Sequence, residues 1–145
     1  MFRSVIAIAA LVASISASAG ETPTQFMERY LGYFNAEDLE QYQGTFEFPV
    51  IRSVDGVLEI LTDPSVPMVN FENIKKTGWV TSRIGHIKVL SESPQAAMVE
   101  FSFVRLNSSG NPFFEAINHL GLINTDDGWK IQSMFFVNPI TLGTD

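Results

Sequence analysis

The chain has 145 residues, of which 46% are hydrophobic and 17% charged, so it can form one globular domain but is too short for two ordinary ones. Its formal net charge of −7 argues against a nucleic-acid partner or an anionic membrane surface, since both require basic patches. It contains no cysteine, which excludes a thiol nucleophile and cysteine-ligated metal, and leaves the apolar core alone to stabilise the fold.

Residues 1–19 have the pattern of a secretory signal peptide. Arg3 gives a short positive start, residues 5–13 form an uncharged apolar run, and a small-x-small cleavage site ends at Ala19. The run is shorter than the roughly 20 residues that a bilayer span requires, which argues against an N-terminal membrane anchor. We therefore expect cleavage after Ala19, a single mature domain over residues 20–145, and a secreted or periplasmic protein without membrane attachment.

The first half of the mature chain carries the helical signals. Thr22 and Pro23 form a helix start, because threonine caps a helix and proline is tolerated in its first turn. The spacing of apolar residues then predicts an amphipathic helix over residues 23–35. Its apolar face consists of Phe26, Met27, Tyr30, Leu31 and Phe34. A second short helix is predicted over residues 36–44 and a third over residues 71–77.

Strand patterns account for the rest of the chain. An Asp-Gly turn at 55–56 between two strand-like runs predicts a hairpin, because glycine accepts the positive φ of a tight turn. Four longer strands are predicted over residues 83–90, 97–106, 113–123 and 129–137, and the last three form an antiparallel meander. This order of elements predicts an α+β domain in which a largely antiparallel sheet curls around the helices.

The order of elements, together with two short motifs, resembles the nuclear transport factor 2-like superfamily. A Gly-Trp pair stands at 78–79 ahead of the long strands, and Asp-Gly-Trp-Lys-Ile at 127–131 forms the last hairpin. The superfamily includes SnoaL-type polyketide cyclases, ketosteroid isomerases and many domains without known activity. The resemblance covers residues 24–138 and implies a cone-shaped α+β barrel whose N-terminal helices pack on a curved sheet.

Two local matches resemble the ketosteroid isomerase branch of that superfamily. Residues 27–30 are similar to its first helix, whose tyrosine, here Tyr30, donates a hydrogen bond to the substrate oxyanion. Residues 117–119 and 130–134 resemble two later strands, and Asn118 stands where those enzymes keep a protonated aspartic acid as a second donor. An asparagine amide donates without any pKa tuning. The resemblance therefore implies an oxyanion site formed by Tyr30 and Asn118.

The position of the proton-transferring carboxylate has two readings. One alignment places Phe48 there, and phenylalanine cannot transfer a proton. A different gap placement puts Asp55 at that position, although an aspartate in a tight turn is explained by local hydrogen bonding alone. With Asp55 as the base, the resemblance implies proton transfer as in the isomerases; with Phe48, it does not. Both alignments stay open at this point.

No motif predicts a cofactor or a metal ion. His86 and His119 lie on separate predicted strands and belong to no His-x-His or His-Glu-x-x-His pattern. The chain also has no Gly-x-Ser-x-Gly elbow, phosphate-binding glycine loop or dinucleotide fingerprint. We therefore expect neither a metal site nor a bound cofactor.

Large apolar side chains occupy the positions that would face the space between helices and sheet. They are Phe34, Trp79, Phe101, Phe103, Leu120, Met134 and Phe136. In the resembled superfamily this space is often an open pocket, so these residues are candidates for contacting a ligand. The alternative is that they fill the space and leave a solid core.

The last predicted strand is apolar on both faces. Met134 and Phe136 alternate with Phe135 and Val137, so one face is expected to meet the helices and the other to be covered by a partner. The resemblance implies a sheet-to-sheet homodimer as that partner.

These observations leave three hypotheses about function. In the preferred one, a secreted or periplasmic domain binds a small, mostly apolar molecule, and Tyr30 and Asn118 donate hydrogen bonds to its carbonyl or hydroxyl group. In the second, a cofactor-independent isomerase, dehydratase or cyclase uses the same donors while Asp55 or another carboxylate moves the proton. In the third, a filled-core domain serves only in dimerisation or protein interaction.

Overall fold

The structure is a computed structural model that describes residues 20–144. The predicted signal peptide and its cleavage site after Ala19 lie outside the described residues. In the part of the chain that is described, no helix combines the length and the apolar character needed to cross a membrane.

Three helices and six strands make up the described part of the chain. They are α1 (Pro23–Asn35), α2 (Leu39–Gln43), β1 (Phe46–Val54), β2 (Val57–Leu61), α3 (Phe71–Lys75), β3 (Thr81–Glu92), β4 (Ala96–Leu106), β5 (Pro112–Thr125) and β6 (Gly128–Phe136). The strands form one sheet in the order β2-β1-β6-β5-β4-β3. All neighbouring strands are antiparallel except β1 and β6, which run parallel. The predicted α+β class with a largely antiparallel sheet is confirmed.

Helix α1 is fixed at both ends by side-chain hydrogen bonds. The Thr22 hydroxyl accepts from the Gln25 backbone nitrogen at 3.1 Å, and the Gln25 side chain accepts from the Thr22 nitrogen at 3.0 Å. At the other end, Asn35 Nδ2 donates to the Ser82 carbonyl at 2.7 Å, and its Oδ1 accepts from the Ser82 nitrogen at 2.9 Å. The Asn35 bonds hold the end of α1 against β3, and the helix has the predicted bounds.

The other two helices are shorter than predicted, because polar side chains bond to the backbone at their ends. The Asp38 side chain caps α2, so that helix begins at Leu39, after its predicted start. Helix α3 ends at Lys75, and the Thr77 hydroxyl then donates to the Ile74 carbonyl at 2.6 Å. Such local bonds compete with continuation of the helix.

Two glycines allow the sheet to curve tightly. A β-carbon at Gly85 would collide with the Ser102 side chain, and one at Gly121 would collide with that of Ser133. Both glycines lie at irregularities in the strand pairing, which are sites where sheets bend. The curved sheet closes around α1 and directs one face of each strand inward.

The inward face of the central strands is set by the alternation of side chains. On β4 the buried alternating positions are Ala97, Val99, Phe101, Phe103 and Arg105. On β5 they are Ala116, Asn118, Leu120 and Leu122. Two polar residues, Arg105 and Asn118, therefore lie on an otherwise apolar interior surface.

The chain after β6 turns back across the molecule as a segment that we call the C-terminal strap, residues 137–144. The carbonyl of Leu142 accepts a hydrogen bond from the Asn70 nitrogen at 3.1 Å. The carbonyl of Gly143 accepts one from Asn73 Nδ2 at 2.7 Å. The strap thereby joins the α3 region to the sheet and covers one side of the interior. The sequence patterns did not predict it.

Gly143→Ala should loosen this strap. Gly143 has φ +79, and a β-carbon there would lie 2.5 Å from the Asn70 carbonyl oxygen. Strain at positive φ combined with this contact should lower the free energy of unfolding by about 2 kcal/mol, measured by urea denaturation. Gly110→Ala is the matched control, because it has φ +77 but open space around the new side chain. Equal losses in the two variants would show that the close approach is unimportant.

Candidate functional site

The space between the helices and the curved sheet is filled mainly by aromatic side chains. The remaining cavity has a volume of about 10 Å³, which is comparable to the room needed by one water molecule. It is lined by Tyr30, Leu31, Phe34, Tyr42, Phe103, Arg105, Phe136 and Leu142. The Phe34 ring lies 5.2 Å from the rings of both Phe71 and Trp79. In this conformation the interior is a packed core, which is the second of the two alternatives that the sequence left open.

Two tyrosine hydroxyls meet at the cavity. Tyr30 on α1 and Tyr42 on α2 form a hydrogen bond of 2.8 Å between their hydroxyl oxygens. Burial raises the pKa of Tyr30 well above its ordinary value and, despite the opposing hydrogen bond, raises that of Tyr42 to about 12. Both phenols are therefore neutral at physiological pH and can act as hydrogen-bond donors. Tyr42 was not among the predicted site residues, although its place on the short predicted helix is consistent with an inward direction.

Arg105 on β4 brings a positive charge to the same cavity. The residue is 2% exposed, and its Nη2 donates to the Thr141 carbonyl of the strap at 2.8 Å. Its Nε has no hydrogen-bond partner among residues 20–144. The guanidinium carbon lies 5.8 Å from the Phe103 ring centre and 5.4 Å from that of Phe114. Burial lowers the pKa of Arg105 to about 10, so the group stays protonated at neutral pH.

A second buried arginine, Arg52 on β1, differs from Arg105 because it has a carboxylate partner. Its Nε donates to Glu59 Oε2 at 2.8 Å, and its Nη1 donates to the Met68 carbonyl at 3.2 Å. The charge of Arg52 opposes the rise in the pKa of both tyrosines. Both arginines thus place positive charge near the tyrosines, and no carboxylate of residues 20–144 pairs with Arg105. Neither arginine was singled out from the sequence.

Asn118 on β5 is completely buried, as its parity with Leu120 predicts. Neither its Nδ2 nor its Oδ1 has a hydrogen-bond partner within the described part of the chain. On the neighbouring strands it stands opposite Phe101 and Phe136, and Phe136 is a wall of the cavity. A buried amide without partners is rare in folded proteins and is energetically costly.

Neither of the two residues considered for the base position lines the cavity at which the tyrosines meet. Asp55 is exposed in the turn between β1 and β2 with φ +51. It lines a surface cleft of about 410 Å³ rather than the interior cavity. Phe48 is partly buried and packs against the core. No Asp, Glu or His side chain of residues 20–144 lines the interior cavity, and the proton-transfer role of Asp55 stays a prediction.

The structure brings together only some of the predicted site residues. Four of them, Tyr30, Phe34, Phe103 and Phe136, line the cavity. Five others are buried elsewhere in the same core, namely Trp79, Phe101, Asn118, Leu120 and Met134. Among residues 20–144, no group of three or more His, Cys, Asp or Glu side chains is placed to hold a metal ion.

The outer face of the sheet carries a row of three polar side chains on β3, β4 and β5. Glu100 Oε1 lies 2.7 Å from His86 Nε2, and Glu100 Oε2 lies 3.1 Å from His119 Nε2. Because an ionised carboxylate only accepts hydrogen bonds, both histidines donate through Nε2. The bond from His86, followed by that from His119, lowers the pKa of Glu100.

This row predicts a pH dependence of stability. The pKa of Glu100 is lower in the folded state than in the unfolded state. The Glu100 carboxylate therefore stabilises the fold above the ordinary carboxyl pKa of 4.5, and this stabilisation is lost as the pH falls through the lowered value. Glu100→Gln should therefore be less stable than wild type at pH 7, and the difference should vanish in acid. Urea denaturation over a pH series measures this effect. Glu92→Gln, at an exposed position of β3, should show no such convergence.

The outer face also contains a broad apolar groove of about 800 Å³. Its apolar walls include Ile51, Ile60, Met98 and Ile123. Ile60 is 66% exposed, and Phe135, on the same face of the sheet beside His119, is 48% exposed. Large apolar side chains that are exposed together on one face of a sheet can mark an interaction surface.

Solved structures share this fold at low sequence identity. An NTF2-like protein with a cystatin-like fold from Novosphingobium aromaticivorans DSM has a TM-score of 0.60 and 13% identity, covering 82% of this chain and 82% of that chain. An NTF-2-like protein of unknown function from Shewanella oneidensis MR-1 has a TM-score of 0.54 and 19% identity, covering 78% and 93%. A protein from Catenulispora acidiphila in complex with S-DNPA has a TM-score of 0.57 and 15% identity, covering 78% and 87%.

A search of curated protein sequences found no match. A family-wide sequence profile, by contrast, matches most of the chain. The family is described as "NTF2-like protein (DUF6841)", and the match covers residues 21–139, from the residue before the α1 cap to the start of the strap. The nuclear transport factor 2-like fold implied by the resemblance is confirmed. The chain therefore belongs to the DUF6841 family of NTF2-like proteins.

Proposed function

We propose that this protein is a secreted or periplasmic NTF2-like domain that binds a small, mostly apolar molecule between its helices and its sheet. The observation that carries the proposal is the Asn118 amide, which is fully buried with neither polar atom paired in the described chain. Leaving such an amide unpaired costs about 1–3 kcal/mol. A ligand carbonyl or hydroxyl group would supply the missing hydrogen bonds.

The Tyr30 and Tyr42 hydroxyls at the cavity add two further polar groups to the same core. Only one of the two can donate in their mutual hydrogen bond, so the other hydroxyl has a proton for an acceptor group. The surrounding aromatic rings would bury the apolar part of the molecule. One fold neighbour was solved in complex with S-DNPA, so a bound compound is compatible with this fold.

Binding requires the interior to open, since the cavity of about 10 Å³ is too small for an organic ligand. The C-terminal strap is the element best placed to move. It contributes Leu142 to the cavity wall, and apart from the buried side chains of Ile140 and Leu142 it is attached through a few hydrogen bonds rather than through a strand pairing. Segments with few stabilising contacts open at low free-energy cost.

A thermal-shift screen against small apolar carbonyl, phenol and lactone compounds tests the proposal. A compound that binds only the folded state stabilises it by about 2.7 kcal/mol at a hundredfold excess over its dissociation constant. The double variant Tyr30→Phe/Tyr42→Phe should lose this stabilisation, because both hydroxyls that would bind the ligand are absent. Removing the two hydroxyls together also avoids leaving one of them without its hydrogen-bond partner. Tyr33→Phe, on the same helix, is the control. If no compound shifts the unfolding midpoint, the interior is only a core.

The alternative of a cofactor-independent isomerase, dehydratase or cyclase has less support. Such chemistry requires a proton acceptor within hydrogen-bond reach of the reacting group. The cavity walls formed by residues 20–144 include no carboxylate or imidazole. Asp55 would have to reach the ligand from the outer cleft.

A second candidate function, dimerisation through the outer sheet face, is favoured by the exposed apolar groove. The occupant would be a second copy of this chain, which would cover Ile51, Met98 and Phe135 on each subunit. Phe135→Glu should then convert the protein to a monomer in analytical ultracentrifugation. Val57→Glu, at an exposed apolar position of β2, should leave the mass unchanged. A wild-type monomer at high concentration would contradict this function.

The proposed location rests on the sequence of residues 1–19. Expression of the full-length chain should yield exported protein whose N-terminal residue is Gly20. Protein that retains residues 1–19 and stays in the cytoplasm would contradict it.

A further inference from the structure

Arg105 carries a buried positive charge that no carboxylate of residues 20–144 neutralises. Its Nη2 donates to the Thr141 carbonyl, and its Nε has no partner in that range. By contrast, Arg29, Arg52 and Lys75 each lie 2.8 Å from a glutamate oxygen. The chain has 16 acidic and 9 basic residues, so scarcity of carboxylates does not explain the missing counter-ion. An unpaired buried charge is costly, which suggests that its partner is a bound molecule.

The geometry of the guanidinium indicates what that partner is. Nε and Nη2 lie on one edge of the group, and their two N–H bonds match the two oxygens of a carboxylate. Arg29 uses the same edge, with Nε donating to Glu21 Oε2 at 2.9 Å and Nη2 donating to Oε1 at 2.8 Å. Among residues 20–144, these two nitrogens of Arg105 make a single hydrogen bond, from Nη2 to the Thr141 carbonyl. The edge could bind both oxygens of a carboxylate, but its Nη2 donates to a carbonyl oxygen and its Nε has no partner in that range.

Arg105 also lies between the surface and the interior. It lines the closed cavity on one side and the surface cleft of about 410 Å³ on the other. Phe103 belongs to the cavity wall and Phe114 to the cleft wall, and both rings are close to the guanidinium. Thr141 of the strap lines the same cleft. A molecule entering from the cleft would meet Arg105 before it reached the tyrosines.

We propose that the ligand of this protein is a carboxylic acid whose carboxylate binds the Nε and Nη2 edge of Arg105, with its apolar part among the aromatic side chains. This inference rests on the proposed function and names the chemical class of the ligand. Movement of the strap would withdraw the Thr141 carbonyl from Nη2 and open the path from cleft to cavity. Asp55 lies on the same cleft and repels an incoming anion, so it takes no part in the carboxylate site.

Calorimetric titration with matched pairs of compounds tests this inference. The probes are benzoate, 3-phenylpropionate and 2-naphthoate, each compared with its primary amide, which has the same shape but no charge. The protein is expressed from the full-length chain. At least one acid should bind tenfold or more tightly than its amide. Arg105→Met should abolish the preference, and Arg105→Lys should keep only part of it, because lysine retains the charge but lacks the two-donor edge.

Two further variants separate local recognition from overall charge. Arg83→Met removes a positive charge from an exposed position of β3 and should leave the preference unchanged. Asp55→Asn should strengthen binding of the acid modestly, whereas weaker binding would overturn the role given to this cleft.

The outcomes distinguish this inference from the function on which it rests. Equal affinity for acid and amide, with binding lost in the Tyr30→Phe/Tyr42→Phe variant, would overturn the carboxylate site and leave the binding function intact. Failure of every acid and every amide, together with a negative screen of neutral compounds, would overturn both.

Discussion

Replacing Phe34 by alanine should lower the free energy of unfolding by about 3–5 kcal/mol. Phe34 extends from α1 into the centre of the aromatic core, and its ring lies 5.2 Å from both Phe71 and Trp79 and 5.6 Å from Tyr42. It therefore joins the three helices to the region that leads into β3. Removing the ring leaves a cavity that rigid neighbours fill only in part. Urea denaturation followed by tryptophan fluorescence measures the loss.

Phe113→Ala is the matched control for this prediction, because Phe113 lies at the start of β5 with 42% of its surface exposed. It should cost well under half as much. Since a small domain is stable by only about 5–15 kcal/mol, the Phe34 variant is expected to unfold at a much lower temperature. A loss below 1 kcal/mol would mean that the interior is loosely packed and already open in solution.

Asn118→Leu should make the protein more stable and should remove its ability to bind the ligand. Leucine has the same number and branching of side-chain heavy atoms as asparagine and needs no hydrogen bonds, so the substitution eliminates a buried amide that is unpaired in residues 20–144. The gain is expected to be about 1–3 kcal/mol. The affinity for a compound identified in the thermal-shift screen should fall at least tenfold. A gain in stability with a loss of binding is the signature of a residue kept for function.

Asn138→Leu gives the opposite expectation and serves as the control. The Asn138 side chain accepts a hydrogen bond from the Ile117 nitrogen at 2.9 Å and donates to the Glu115 carbonyl at 2.7 Å. Loss of these two hydrogen bonds should destabilise the strap. If Asn118→Leu also destabilises the protein, the amide has partners in solution, and the observation that carries the proposed function fails.

The sequence predicted those features that depend on local patterns. The bounds of α1 follow from the Thr22 cap and the apolar spacing along the helix, and the hairpins follow from Asp-Gly turns. The inward direction of Asn118 follows from strand parity alone. These signals lie within a few residues of one another, so tertiary context does not change them.

Features that depend on contacts between distant segments were not predicted. The parallel pairing of β1 with β6 leaves no local pattern, and neither does the strap. The parity of Arg105 with Phe101 and Phe103 could have indicated its inward direction, but a charged residue near the end of a strand is normally expected in solvent. The hydrogen bond between Tyr30 and Tyr42 depends on the angle between two helices, which the sequence does not give.

The pairing of β1 with β6 has a consequence for how the chain acquires its structure. The two strands are separated by most of the domain, and the Trp129 indole nitrogen donates to the Glu21 carbonyl, 108 positions away. Contacts of such long range form late and slow the search for the native state. During synthesis, the sheet cannot be completed until the last strand has emerged. We therefore expect truncated chains that end before residue 128 to remain unfolded, rather than to form a smaller stable domain.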